Sequence, residues 1–258
     1  CLFVFICAVI VAYDARRKKT NITLSAVKNS EYVPLLAILA FGVALRFIPL
    51  IGLHTYPADD PRVYAFLTKL VVDNKGFTFN LGPLAEYNQP ILTYPYMVGF
   101  PAISSFFIFT LGLEVPIAVA LISQAYSSLL ILSIYHLGKS LFGRRAGLIA
   151  AAVISLVNPS PLHFFLWGGN ADYIAYFLAP YIVLQFYDYL RNPKRGTFFF
   201  TGLLVSGSLL YHPYSAVYVF PAVAFILLKE LFKGRTYKPF FTFLKPVLCS
   251  ALCLLPIV

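Results

Sequence analysis

From Tyr32 to Leu53 the chain runs for the width of a bilayer with one charged residue, Arg46. Apolar runs of similar character recur at 94–113, 115–138, 146–166, 173–190, 197–228 and 239–258, and residues 1–13 read as the tail of another. A helix needs about 20 predominantly apolar residues to cross the hydrocarbon core. Inside that core every backbone N–H and C=O must be satisfied within its own segment, which leaves helices as the solution for runs of this length. The expected fold is therefore all-α, a polytopic transmembrane helical bundle forming a single domain over residues 1–258. Composition agrees: 60% of residues are hydrophobic and 12% charged, where a soluble domain carries about 25% charged. Both ends of the sequence fall inside apolar runs, so we expect a piece of a longer protein.

The net charge of +10 does not point to nucleic acid. The basic residues gather between apolar runs: Arg16 to Lys19, Lys139 with Arg144 and Arg145, Arg191 with Lys194 and Arg195, and Lys229 to Lys238. Cytoplasmic loops carry this excess. Asp59, Asp60, Asp73, Glu86, Glu114 and Asp172 all fall in segments placed on the other side. The four cysteines lie in apolar runs without metal-type or disulfide spacing.

Those assignments set the topology. Residues 14–31 are internal and 32–53 cross outward. Residues 54–114 form a long external loop. Within it Val63, Phe66, Leu67, Leu70 and Val71 recur with helical period, which predicts an amphipathic helix over 61–75. Asn74-Lys75-Gly76 ends it. If 94–113 crossed fully, Arg144 and Arg145 would be external, so 94–113 is expected to be a re-entrant or inserted helix. Residues 115–138 return inward, 146–166 go out, 167–172 form a short second external loop, and 173–190 return. His212-Pro213 divides 197–228 into a hairpin or two short spans with an external tip.

The external side holds the candidate chemistry. Asp59 and Asp60 open the amphipathic segment; Asp60 before Pro61 suits a helix cap, and either carboxylate suits a general base or cation ligand. Asn170-Ala171-Asp172 either starts a helix or, in an extended turn, aims two oxygens together at a cation or sugar hydroxyl. Arg46 either snorkels to the headgroups or anchors a lipid phosphate. His212 and His54 are candidate phosphate or substrate contacts, whereas His136 reads as structural. External aromatics such as Tyr64 and Trp167 suit an interfacial belt or sugar stacking.

The order of parts, with the stretch Tyr135 to Ala152 (YHLGKSLFGRRAGLIAAA), resembles the GT-C superfamily of membrane glycosyltransferases over about residues 32–230. It is nearest archaeal and bacterial members and oligosaccharyltransferase catalytic subunits. The resemblance implies an acidic catalytic residue in the first external loop, here Asp59 or Asp60. It implies a metal-binding DxD in the second loop, matched here by Asn170-Ala171-Asp172 with Asn in place of the first Asp. A metal site would then use Asp60, Asn170 and Asp172 with Mg or Mn, although many polyprenyl-phosphate-dependent relatives need no metal. The implied donor is a polyprenyl-phosphate sugar, the acceptor lies at the external face, and the implied home is a prokaryotic, archaeal-type plasma membrane. A transporter or flippase using the aspartates as an ion or proton site is the competing reading, and a scaffold in which they only cap helices is the third.

Overall fold

The computed structural model describes residues 32–52, 59–76, 98–156, 170–191, 195–211, 215–234 and 238–254. Among these residues all regular structure is helical, which bears out the all-α expectation. We number the helices in chain order. They are α1 (Tyr32–Phe47), α2 (Asp59–Asp73), α3 (Gly99–Leu111), α4 (Val115–Phe142), α5 (Arg144–Leu156), α6 (Asn170–Arg191), α7 (Arg195–Tyr211), α8 (Ser215–Gly234) and α9 (Lys238–Leu254). A 3-10 turn, Ile48–Leu50, extends α1.

Among the described residues two helices are long and apolar enough to cross a bilayer: Tyr32–Leu50 and the 28-residue α4. The α3 helix has 13 residues, about 20 Å of rise against a core of about 30 Å. Its length suits an inserted helix rather than a full crossing. Gly112, at φ 64°, ends it in the left-handed conformation and returns its N–H to Ile108 O at 2.9 Å. The expected break in 197–228 falls between α7 and α8, at residues outside the description.

Boundaries differ from the sequence reading at the α4–α5 turn and at the start of α6, among other places. The α4 helix passes through Gly138 and Lys139 to Phe142, and α5 begins at Arg144 rather than at 146. Gly143, at φ 89°, turns the chain between them in a conformation that glycine alone adopts without strain. The α6 helix begins at Asn170, so it takes in the last three residues of the expected second loop. On α2 the fully buried side is Pro61, Tyr64 and Thr68, while Val63, Phe66, Leu67, Leu70 and Val71 are half-buried. The periodic apolar stripe is thus real, but it is not the face that packs most deeply. Its polar edge carries the Lys69–Asp73 ion pair at 2.9 Å, and Asn74 Nδ2 donates to Leu70 O at the predicted terminus.

The interior is rich in small and polar residues. Ser104, Ser123, Gln124, Ser127, Ser155, Thr201 and Ser208 are buried, whereas Phe41, Phe109, Ile149, Phe225 and Leu252 point outward. A soluble protein sorts these the other way. In lipid there is no hydrophobic drive between helices, so close approach and hydrogen bonds hold them together. Ser155 Oγ donates to Ile38 O between α5 and α1, and Ser206 Oγ reaches Ser250 O between α7 and α9. Gly202 receives Cys249 so closely that a Cβ there would lie 2.8 Å from the sulfur. That contact gives Cys249 the packing role expected for it.

Candidate functional site

Two helix N-termini carry the sequence's acidic candidates. The α2 helix starts at Asp59, so Asp59 and Asp60 both occupy its first turn, with Pro61 buried behind them. Pro fits there because the first-turn N–H groups have no partner inside the helix. The expected cap at Asp60 therefore sits a residue inside the helix start. Aspartates at this position are favoured by the N-terminal end of the helix dipole. The structure describes the backbone of Asp59, Asp60 and Asn170 and not their side chains.

The α6 helix starts the same way. Asn170, Ala171 and Asp172 form its first turn, Ala171 is fully buried and Asp172 is half-buried. This corrects the extended-turn reading of the triplet. Residues two apart on a helix are separated by about 200° of rotation and do not face each other. The backbone thus points positions 170 and 172 away from a common ligand. Among the described residues no three His, Cys, Asp or Glu side chains converge on a cation-sized site. The side chains of Asp60 and Asn170, two of the three expected ligands, lie outside the described residues.

One buried cluster joins the two helix starts. It takes Tyr64 from α2, Phe100 and Ile103 from α3, Val119 and Ile122 from α4, and Ala171, Tyr173 and Ile174 from α6. The α2 and α6 helices also touch directly. Tyr64 lies about one turn beyond Asp60, and Ala171 stands next to Asp172. The frame is therefore continuous between the two acidic first turns. Tyr64 is 4% exposed, and its ring lies 5.0 Å from that of Phe100. That contact makes Tyr64 part of the core, with its ring closed to a sugar face in this structure.

Arg46 is wholly buried. Nε donates to Ser127 Oγ at 2.8 Å, one terminal nitrogen to Gly42 O at 2.8 Å and the other to Ile154 O at 3.2 Å. It ties α1 to α4 and α5, and it does not snorkel to the headgroups. Gly42 makes this possible: a Cβ there would collide with Ile131 Cδ1 and Ser155 Oγ. A buried guanidinium is tolerable when its nitrogens are engaged, and each of the three makes a hydrogen bond here. Its place in the interior seam also argues against direct contact with a lipid phosphate.

His54 and His212 lie outside the described residues, as do His163 and Trp167. His136 is exposed in the C-terminal part of α4 and meets the Tyr135 and Tyr181 rings. The sequence reading passed over a set of buried polar atoms. Both amide atoms of Gln124, Thr68 Oγ1, Ser104 Oγ and Ser208 Oγ are buried with no hydrogen-bond partner among the described residues. They come from the short α3 helix and from α2, α4 and α7, which pack against it. The available signal was Ser, Thr or Gln within otherwise apolar runs, where an unpaired polar group calls for water or a ligand.

Comparison with known proteins matches the chain to a family model. Residues 96–258 fit the family model described as dolichyl-phosphate-mannose-protein mannosyltransferase. The matched stretch runs from just before α3 through α9. It includes Asn170, Asp172 and His212 and begins after Asp59, Asp60 and Arg46. No curated protein and no solved structure matches the chain.

Proposed function

Since the chain belongs to the dolichyl-phosphate-mannose-protein mannosyltransferase family of GT-C membrane glycosyltransferases, we propose that it moves a sugar from a polyprenyl-phosphate donor to an acceptor at the external face of the membrane. The family match is the observation that carries this reading. The family's description supports mannose as the sugar and a protein as the acceptor. The basic loops, read with the positive-inside rule, support an external position for the N-termini of α2 and α6.

In this reading Asp59 or Asp60 is the general base. The carboxylate takes the proton of the acceptor hydroxyl or amide while that atom attacks the anomeric carbon. The bond from that carbon to the phosphate oxygen breaks, and polyprenyl phosphate leaves with the electron pair. The first turn of α2 suits the task because its free N–H groups favour the ionised carboxylate before it accepts the proton. The buried cluster beneath holds α2 against α6 and α3. A carboxylate held at the rim of a membrane cavity acts through a poorly screened field, which strengthens its pull on the proton.

The test uses the protein reconstituted into liposomes with radiolabelled polyprenyl-phosphate mannose. Transfer of label to an acceptor peptide, lost in the Asp59→Asn or the Asp60→Asn variant, is the expected result. No transfer by the wild-type protein from any polyprenyl-phosphate sugar would overturn the reading.

A further inference from the structure

A groove of about 870 Å³ runs between α4, α6 and α8. Its walls are apolar: Leu130 and Ile134 from α4, Pro180 and Val183 from α6, Ala222 and Ile226 from α8. At one end stand Phe142, Tyr187 and Lys229. These residues close the inward-running helices beside the basic stretches 139–145 and 229–238, so this end is the cytoplasmic mouth. At the other end are Ile154 and Tyr173, and Tyr173 is 1% exposed. Tyr173 to Tyr187 spans about 21 Å of helix, more than the roughly 15 Å depth of one leaflet's hydrocarbon.

The charge sits at one end only. Lys229 is exposed, lines the mouth and makes no hydrogen bond or ion pair among the described residues. Among the described residues no other charged side chain lines the groove. We propose that this groove binds an anionic glycerophospholipid of the cytoplasmic leaflet, with an acyl chain along α6 and the headgroup phosphate on Lys229. The transferase donor is a poor occupant, because its phosphate belongs at the opposite face, with Asp59 and Asp60. Arg46, bonded to Ile154 at the far end, spends three donors on Ser127, Gly42 and Ile154. The mouth is placed by the basic loops alone, whereas the choice of a phospholipid over the donor rests on the proposed function; equal binding of the two phospholipids leaves that function untouched, and only displacement by polyprenyl phosphate bears on it.

The experiment is native mass spectrometry of the delipidated full-length protein. The probes are phosphatidylglycerol, phosphatidylcholine with the same acyl chains, and polyprenyl phosphate. Phosphatidylglycerol is expected to bind at least about fivefold tighter than phosphatidylcholine, the share of one lysine. Lys229→Glu should abolish that preference, and Ala222→Trp, which fills a wall, should weaken both phospholipids. Should Ala222→Trp not fold, Lys229→Glu, an exposed change, decides alone. Equal binding of the two phospholipids, or an undiminished preference in Lys229→Glu, overturns the proposal. So does displacement of bound phosphatidylglycerol by polyprenyl phosphate, which would give the groove to the donor.

Discussion

Arg46 Nε and Ser127 Oγ stand 2.8 Å apart with neither side chain exposed, joining two helices 81 residues apart in sequence. A hydrogen bond to a charged group is worth about 1.5–3 kcal/mol, and stranding the buried donor adds a desolvation cost. Ser127→Ala should therefore lower unfolding free energy by about 1.5–3 kcal/mol in detergent. Arg46→Lys should cost more, because one ammonium cannot reach acceptors on three helices at once. Thermal unfolding of purified variants reads both. A silent Arg46→Lys would return the residue to a snorkelling role, in which the two cations are equivalent.

The aspartates should separate in kinetics rather than in folding. Removing a general base costs about 10²–10⁴-fold in rate. One of Asp59→Asn and Asp60→Asn should show that loss with its elution profile on size exclusion unchanged. The other should lose only a cap or dipole contribution of about 0.3–2 kcal/mol in stability. Full turnover in both variants would leave α2 as a structural helix and move the search for the base to Asp172.

Transfer should persist in EDTA. Asn170 and Asp172 share a helical turn at positions that diverge, and the described residues bring no third ligand to them. Assay after chelation, with and without added Mg or Mn, checks this. Strict loss on chelation with rescue by either ion would mean that Asp59 or Asp60 closes a site with Asp172 across the gap between the helix starts.

The α4–α5 hairpin should be intolerant of a single methyl. A Cβ on Gly147 would lie 2.8 Å from Tyr135 O and 2.9 Å from Lys139 N, both backbone atoms that cannot step aside. Gly147→Ala should cost about 1–3 kcal/mol by overpacking. Gly207, whose added Cβ meets nothing within 4 Å, is the control: Gly207→Ala should be neutral or gain up to about 1 kcal/mol of helix propensity. Similar melting shifts in the two variants would show that the hairpin is looser than its geometry.

Helices were legible where one signal controls them. Runs of bilayer length fixed α1 and α4, and Asn74-Lys75-Gly76 closed α2 where the chain needs a left-handed residue, Lys75 at φ 52°. The α5 and α6 starts were misplaced because a charged or polar first turn reads as loop, although helix N-termini welcome such residues. Arg46 shows the deeper limit. Its position was visible as a charge in an apolar run, but its direction depends on Gly42 and on acceptors from α4 and α5. No one-dimensional pattern brings residues 42, 127 and 154 together. Tyr64 shows the same limit, since its aromatic character fits both a sugar platform and a core.

Tyr64 settles which of those two roles the ring fills once the ring is removed and the volume largely kept. The Tyr64–Phe100 pair at 5.0 Å holds α2 on α3, and such pairs contribute about 0.5–1.5 kcal/mol beyond area burial. Tyr64→Leu should therefore lower stability by about 1–3 kcal/mol, including a small cavity, while the folded fraction keeps the donor KM of wild type. Tyr64→Ala should cost about 3–5 kcal/mol and reduce the amount of folded protein recovered. The comparison is made per folded molecule, from active fractions fixed by size exclusion, with KM and kcat measured separately. A ring that stacks on the sugar predicts the reverse pattern: a KM for the donor about tenfold higher in Tyr64→Leu, as loss of about 1.4 kcal/mol requires, with little change in melting. That outcome would require α2 to swing away from α3 when donor binds, because the pocket that now holds the ring leaves 4% of the residue exposed.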